Sequence, residues 1–241
     1  MIDLSFHRST AFLTMNINKH NLLDIKSVEA MLNALLEIEE DSGLLAVVLN
    51  GNDSAFCAGA DLEKISKYSK QELSDFFYLL DNLLYKIYTF PKPIIANITG
   101  HAIGGGLALS FATDYTIVSG SERSKFGFPE YKIGMSFTPT MLDLVSALNF
   151  SRYDIIILGR MIDAYEACKL GWFTERCDRD IESRINSIVR EFLEISNSSF
   201  KFAKQTLKKK IEMPQRGVSL AYYSKLYVQL QEYLSKLERL R

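Results

Sequence analysis

Residues 94–111 read IIANITGHAIGGGLALSF, and this stretch decides the fold. Ile94, Ile95 and Ile98 open it as an apolar, β-branched run of the kind that forms a buried strand. The run breaks at Gly100. Three successive glycines, Gly104, Gly105 and Gly106, then lead into the helix formers Leu107, Ala108 and Leu109. A strand that turns through glycines into a helix start leaves unpaired backbone N–H groups at the positive end of a helix. Such a place can hold a phosphate, a carboxylate or a developing oxyanion, and it can equally be a tight packing turn.

Upstream, Lys70 to Thr89 carries Leu73, Phe76, Phe77, Leu80, Leu83, Leu84 and Ile87 at helical spacing, and Pro91 and Pro93 end it. Before that lies a short apolar run from Leu44 to Leu49, read as a buried strand, then the turn Asn50-Gly51-Asn52 and the segment SAFCAGADL. The N-terminus reads as a hairpin, with Leu4 and Phe6 alternating, a turn at Arg8-Ser9-Thr10, and a return from Ala11 to Met15. Asp24 is placed to cap a helix through Leu36, with Gly43 as its stop.

Downstream, Tyr115 to Val118 reads as strand and Lys125 to Gly127 as a brief resumption after a turn through Arg123. From Thr140 on the pattern predicts helices alone. Three are short: Thr140 to Leu148, Ser151 to Leu158, and Asp163 to Leu170 with Asp163 as cap and Gly171 as stop. Three are longer: Asp180 to Ile195, Phe200 to Glu212 and Ser219 to Leu240. The last carries Leu220, Tyr223, Leu226, Tyr227, Leu230, Leu234 and Leu237 as a packing stripe, within the subunit or against a neighbour. The predicted division is a core over residues 1–195 and a C-terminal helical region over 196–241.

Composition narrows the function classes. A 47% hydrophobic content over 241 residues suits one compact domain, and a net charge of −1 without a basic stripe argues against a nucleic-acid surface. Cys57, Cys168 and Cys177 cannot all pair, which favours a reducing, cytoplasmic setting. No secretory signal or membrane-spanning run is read. His7, His20 and His101 are too scattered for a metal site.

Two places supply glycine-containing backbone after a buried strand: Cys57-Ala58-Gly59-Ala60-Asp61 and Ile103-Gly104-Gly105-Gly106. Side by side, one N–H from each could converge on a single carbonyl oxygen and stabilise an enolate beside a thioester. A Rossmann fingerprint fails, because Leu109 stands where the third glycine of G-x-G-x-x-G belongs. Residues 56–62 (FCAGADL), 100–106 (GHAIGGG) and 126–130 (FGFPE) together resemble the crotonase, or enoyl-CoA hydratase/isomerase, superfamily. The resemblance extends over essentially the whole chain.

It implies an α/β fold, a ClpP-like spiral of ββα units with a helical C-terminal region that forms trimers, which often pair into hexamers. The matching oxyanion donors are the backbone N–H groups of Ala60 and Gly105. The substrate implied is an acyl-CoA thioester, and no further cofactor is expected beyond that CoA or a phosphopantetheine carrier. Ala58, Asp61 and Leu62 match the segment that borders the CoA adenine, and Lys19 sits in a loop that skirts the CoA. Tyr233 and Lys236 match positions on a neighbouring subunit's last helix.

Hydratases of this superfamily work with two glutamates. Here the first position is Ala108, while the second is retained as Glu130. One carboxylate facing an enolate suits a double-bond shift, with a proton removed at C2 and returned at C4 by the same group. Burial among Phe126, Phe128, Ile133 and Met135 is expected to raise its pKa. The similarity is greatest to Δ3,Δ2-enoyl-CoA isomerases. Residues 134–140, GMSFTPT, lack the glycine-rich run of hydratases, and Met135 and Phe137 could fill an acyl pocket instead. A polyketide-type acyl-thioester decarboxylase, another crotonase such as a hydratase, and a non-catalytic acyl-CoA-binding module are the alternative readings.

Overall fold

The computed structural model describes residues 1–119, 123–147 and 152–239. The chain opens with strands β1 (Ile2–His7) and β2 (Thr10–Met15), an antiparallel hairpin, followed by helix α1 (Ile25–Glu40). Asp24 caps α1 as the sequence implies: its carboxylate accepts from the Ser27 N–H, and the Ser27 hydroxyl accepts from the Asp24 N–H. The far end of α1 is closed differently from expectation. Rather than Gly43, the Lys92 ammonium caps the helix, donating to the carbonyls of Ile38 and Asp41.

The order then becomes repetitive. Strands β3 (Ala46–Asn50) and β4 (Ala55–Cys57) precede α2 (Leu62–Ile65) and α3 (Lys70–Thr89). Strands β5 (Ile94–Ile98) and β6 (His101–Ile103) precede α4 (Gly105–Ala112). Strands β7 (Tyr115–Val118) and β8 (Phe126–Gly127) precede a 3-10 turn at Glu130–Ile133 and α5 (Pro139–Ala147). In each repeat the first strand joins a large sheet whose order begins β1-β2-β3-β5-β7, and the second joins a parallel three-stranded sheet ordered β4-β6-β8. This is the ββα spiral that the resemblance implied.

The remaining elements are α6 (Tyr153–Ile157), α7 (Ala164–Lys169), β9 (Glu175–Arg176), α8 (Ile181–Leu193), α9 (Asn197–Leu207) and α10 (Arg216–Glu238). The expectation of helices alone after Thr140 is corrected by β9, which pairs in parallel with β7 and completes the large sheet. Two residues between Gly171 and the next helix are too few to show a strand period. The helix expected over Phe200 to Glu212 ends at Leu207, because Lys208 is extended (ψ 138°). Leu148, Ser151 and Leu240, as predicted helix ends, and the side chains of Leu220 and Leu237 lie outside the described residues.

Strand β3 is buried on both faces, which explains its unbroken apolar run. Val47 and Leu49 join the main core with α1 and α3, while Ala46 and Val48 pack with Ile95 and Ile117 under Ile185, Ile188 and Val189 of α8. Ile211 and Tyr223, Leu226 and Leu230 of α10 join the same main core as the strands. Helix α9 is fixed by a buried ion pair: Asp114 accepts from Lys204 and Lys208, each at 2.8 Å, and from the Ile94 N–H at 2.9 Å. Asp114→Asn leaves the buried Lys204 ammonium without its counter-charge. Urea unfolding of that variant should show a loss of about 3 kcal/mol.

Candidate active site

The three short strands β4, β6 and β8 run parallel, with a register shift in β4 between Ala55 and Cys57, Cys57 opposite Ala102 and Ile103 opposite Gly127. Their C-terminal ends therefore release three segments at one place: Ala58–Asp61, Gly104–Gly106 and Phe128–Glu130. A cavity of about 90 Å³ lies there, bordered by Ala58, Ala60 and Leu62, by Gly104 and Gly105, by Glu130, and by Phe77 and Leu80 of α3. Met135, Ser136, Thr138 and Met141 form a further wall.

The two turns do lie side by side. A Cβ built on Gly59 would stand 3.6 Å from the Gly105 nitrogen. The N–H of Leu23 donates to Gly59 O and the N–H of Asp61 to Leu23 O, each at 2.8 Å, which pins the first turn against the start of α1. Between them the Ala60 N–H points away from that pairing. Among the described residues neither it nor the Gly105 N–H has a hydrogen-bond partner. Both are donors of the kind an oxyanion requires.

Gly104 adopts φ 55°, ψ −125°, a conformation open to glycine and costly for other residues. Its N–H donates to Gly127 O at 2.9 Å, tying the turn to β8, and a Cβ here would collide with Glu130 Oε1. At Gly106 the start of α4 approaches β4 so closely that a Cβ would overlap the Cys57 carbonyl oxygen and come within 2.7 Å of the Cys57 Cβ. The triplet thus has separate duties: Gly104 makes room for the acid, Gly105 offers its N–H, and Gly106 lets the helix reach the strand.

Glu130 starts the 3-10 turn, which Gly134 closes in the left-handed region at φ 71°. Its Oε2 is buried and has no hydrogen-bond partner among the described residues. Burial pushes its pKa up from 4.5 to about 7, the direction expected from its sequence neighbours. It is the only titratable side chain among the residues bordering the cavity. Ala108, one turn into α4, is fully buried and brings no carboxylate.

Of the residues singled out from sequence, Ala58, Ala60, Leu62, Gly105 and Glu130 meet at the cavity. The Asp61 carboxylate caps α2 through the Lys64 N–H at 3.1 Å. Lys19 is exposed in the loop before α1, and Tyr233 and Lys236 lie near the end of α10; none of the three borders the cavity. Met135 lines the pocket as expected, but Phe137 does not. It turns into the core, 5.0 Å from the rings of both Phe128 and Tyr131. Met135 and Phe137 stand two residues apart, a spacing that simple alternation would place on one side, so only the fold decides that the first faces the cavity and the second the core. Sequence reasoning missed the role of Asp81, a wholly buried carboxylate on α3. The available signal was an acid beside Leu80 on an apolar helix face.

Fold and site together define a ββα-spiral protein that presents two free backbone donors and one protonatable carboxylate to a single small cavity. The family described as enoyl-CoA hydratase/isomerase matches residues 5–237, and the chain belongs to that family. It is 34% identical over 169 residues to a Thermus thermophilus protein named "Putative enoyl-CoA hydratase", covering 68% of this chain and 66% of that protein. It is 33% identical over 135 residues to a Bacillus subtilis "Probable enoyl-CoA hydratase", covering 56% and 52%. The match therefore spans less than two thirds of these relatives' lengths. The crystal structure of enoyl-CoA hydratase from Bacillus halodurans has the same fold, with a TM-score of 0.85, 22% identity and 99% of each chain covered. Among the described residues no helix is long and apolar enough to cross a membrane.

Proposed function

We propose that this protein shifts the double bond of a 3-enoyl-CoA to give the trans-2-enoyl-CoA. The observation that carries this is a solitary carboxylate, Glu130, at a cavity bordered by Ala60 and Gly105 with their unpaired N–H groups. The resemblance puts the apolar Ala108 at the position of the hydratases' other glutamate. The ionised Glu130 takes a proton from C2 of the thioester. The electron pair moves onto the thioester oxygen, where Ala60 and Gly105 donate to the enolate. Glu130, now protonated, returns the proton at C4: the 3,4 π pair forms the new C4–H bond, the C1–C2 pair of the enolate becomes the 2,3 double bond, and the oxygen re-forms the carbonyl. One group serves as base and then acid, so no second carboxylate is required. A hydratase must in addition activate a water, and the names of the relatives favour that second reading.

Ala58 and Leu62 at the cavity support an approach of the CoA along that segment, with Asp61 within it and Lys19 adjoining His20, whose carbonyl accepts from the Ala58 N–H at 3.0 Å. Tyr233 and Lys236 are proposed to reach the CoA of a neighbouring subunit in a homotrimer or hexamer. The deciding experiment supplies 3-hexenoyl-CoA and follows formation of the conjugated thioester. Water addition to the 2-enoyl thioester without any shift would replace isomerase with hydratase. Carbon dioxide release from a malonyl-type thioester, unaffected by Glu130→Gln, would mean a decarboxylase, and CoA binding without turnover a non-catalytic module. Because the base must be ionised, kcat/KM should rise with pH and reach half its plateau near pH 7. A profile flat from pH 5 to 9 would exclude Glu130 as the base.

A further inference from the structure

Helix α10 grips one wall of the cavity residue by residue. The Gln229 side chain accepts from the Ser136 N–H at 3.0 Å and donates to Ser136 Oγ at 3.1 Å. The Tyr222 hydroxyl donates to Phe137 O at 2.6 Å. The Thr138 hydroxyl donates to Asp81 Oδ1, and Asp81 Oδ2 accepts from the Tyr223 hydroxyl at 2.6 Å. Three consecutive residues of the segment that forms this wall, Ser136, Phe137 and Thr138, are thus each held by a different polar group.

The opposite wall is tied to the same point. Phe77 and Leu80 of α3 border the cavity, Asp81 follows them on the same helix, and the Tyr223 ring stacks on Phe77 with centroids 6.2 Å apart. Tyr223 therefore touches α3 through its ring and, through Asp81, the Thr138 wall. Asp81 and Tyr223 have no solvent exposure, and Thr140 also hydrogen-bonds the Asp81 carboxylate. Apolar contacts tolerate small slips, whereas hydrogen bonds to a buried carboxylate are directional and costly to leave unmade. A network built this way fixes the separation of the two walls.

We propose that Asp81, Tyr223 and Gln229 are positioning residues that set the width of the cavity on its acyl side and so discriminate between thioester chain lengths. The discrimination part rests on the acyl-thioester reading of the site. Tyr223→Phe removes one hydroxyl and keeps the ring, so the variant should fold. Two measurements test it. In hydrogen exchange, the Ser136 and Thr138 amides should exchange about tenfold faster in Tyr223→Phe, the size of one buried hydrogen bond, with the Val47–Leu49 amides unchanged. Calorimetric binding of hexanoyl-CoA should weaken by a similar factor of about ten, while dodecanoyl-CoA changes much less.

Equal acceleration at Val47–Leu49 would reduce Tyr223 to a general stability residue and overturn the proposal. So would a hexanoyl-to-dodecanoyl preference identical to wild type. Failure of the wild-type protein to bind either thioester would instead overturn the acyl reading itself, and the discrimination claim with it. The exchange measurement would still decide whether the three residues hold the wall.

Discussion

Glu130→Gln is expected to lower turnover of 3-hexenoyl-CoA by roughly 10²–10⁴-fold, the range typical for loss of a general acid–base. The same substitution should stabilise the fold at neutral and alkaline pH. In the folded state burial holds the Glu130 pKa near 7, against 4.5 without it. Below pH 4.5 the carboxyl is protonated in both states and the substitution has little electrostatic effect. Between pH 4.5 and 7 the unfolded chain releases a proton that the folded chain retains, so wild-type stability falls as pH rises. Above pH 7 the full cost of burying the anion is present, roughly 3 kcal/mol as an order of magnitude. Urea unfolding of both proteins at pH 4.5 and pH 8 checks this: the gap in favour of Gln should open only at the higher pH. An inactive variant with no such gap would place Glu130 in a solvated environment.

Gly106→Ala should lower both activity and stability. Its Cβ would overlap the Cys57 carbonyl, so α4 and β4 must separate, and with them the two oxyanion donors. Loss of one donor from a preorganised hole costs on the order of 3 kcal/mol in the barrier, about a hundredfold in kcat, and strain at the helix–strand contact adds a stability loss. Gly105 differs. A Cβ there meets only Leu80 Cδ2, at 3.4 Å, so Gly105→Ala should fold and retain measurable turnover. Gly105→Val places two further methyl groups beside Leu80 at the cavity and should abolish activity with the fold intact. Steady-state kinetics and thermal unfolding of the three variants separate these outcomes. Activity in Gly106→Ala equal to wild type would mean that the donors are not Ala60 and Gly105.

The triplet illustrates what was legible in advance. Sequence shows three glycines and a following alanine, but their different duties depend on what each would-be Cβ meets: Glu130, Leu80 or Cys57. Those partners come from elsewhere in the chain and have no local signature. Strand β6 escaped notice because three residues between two glycine turns show no period, although it carries the register that aligns β4 with β8. Phe137 is a similar case, apolar and adjacent to pocket residues yet directed into the core.

By itself the sequence determined the elements whose cause is local. Periodicity set α1 and α3, the Asp24 and Asp163 caps set helix starts, and β-branched runs set the buried strands. Its quoted motifs also identified the family and the loss of a carboxylate at Ala108. Only the tertiary structure decided that three strands of two or three residues end together, that Glu130 is buried enough to hold its proton near pH 7, and that Asp81 and Tyr223 join the two walls. Desolvation and hydrogen-bond direction arise from groups far apart in the chain, and they exist only once the spiral has closed around them.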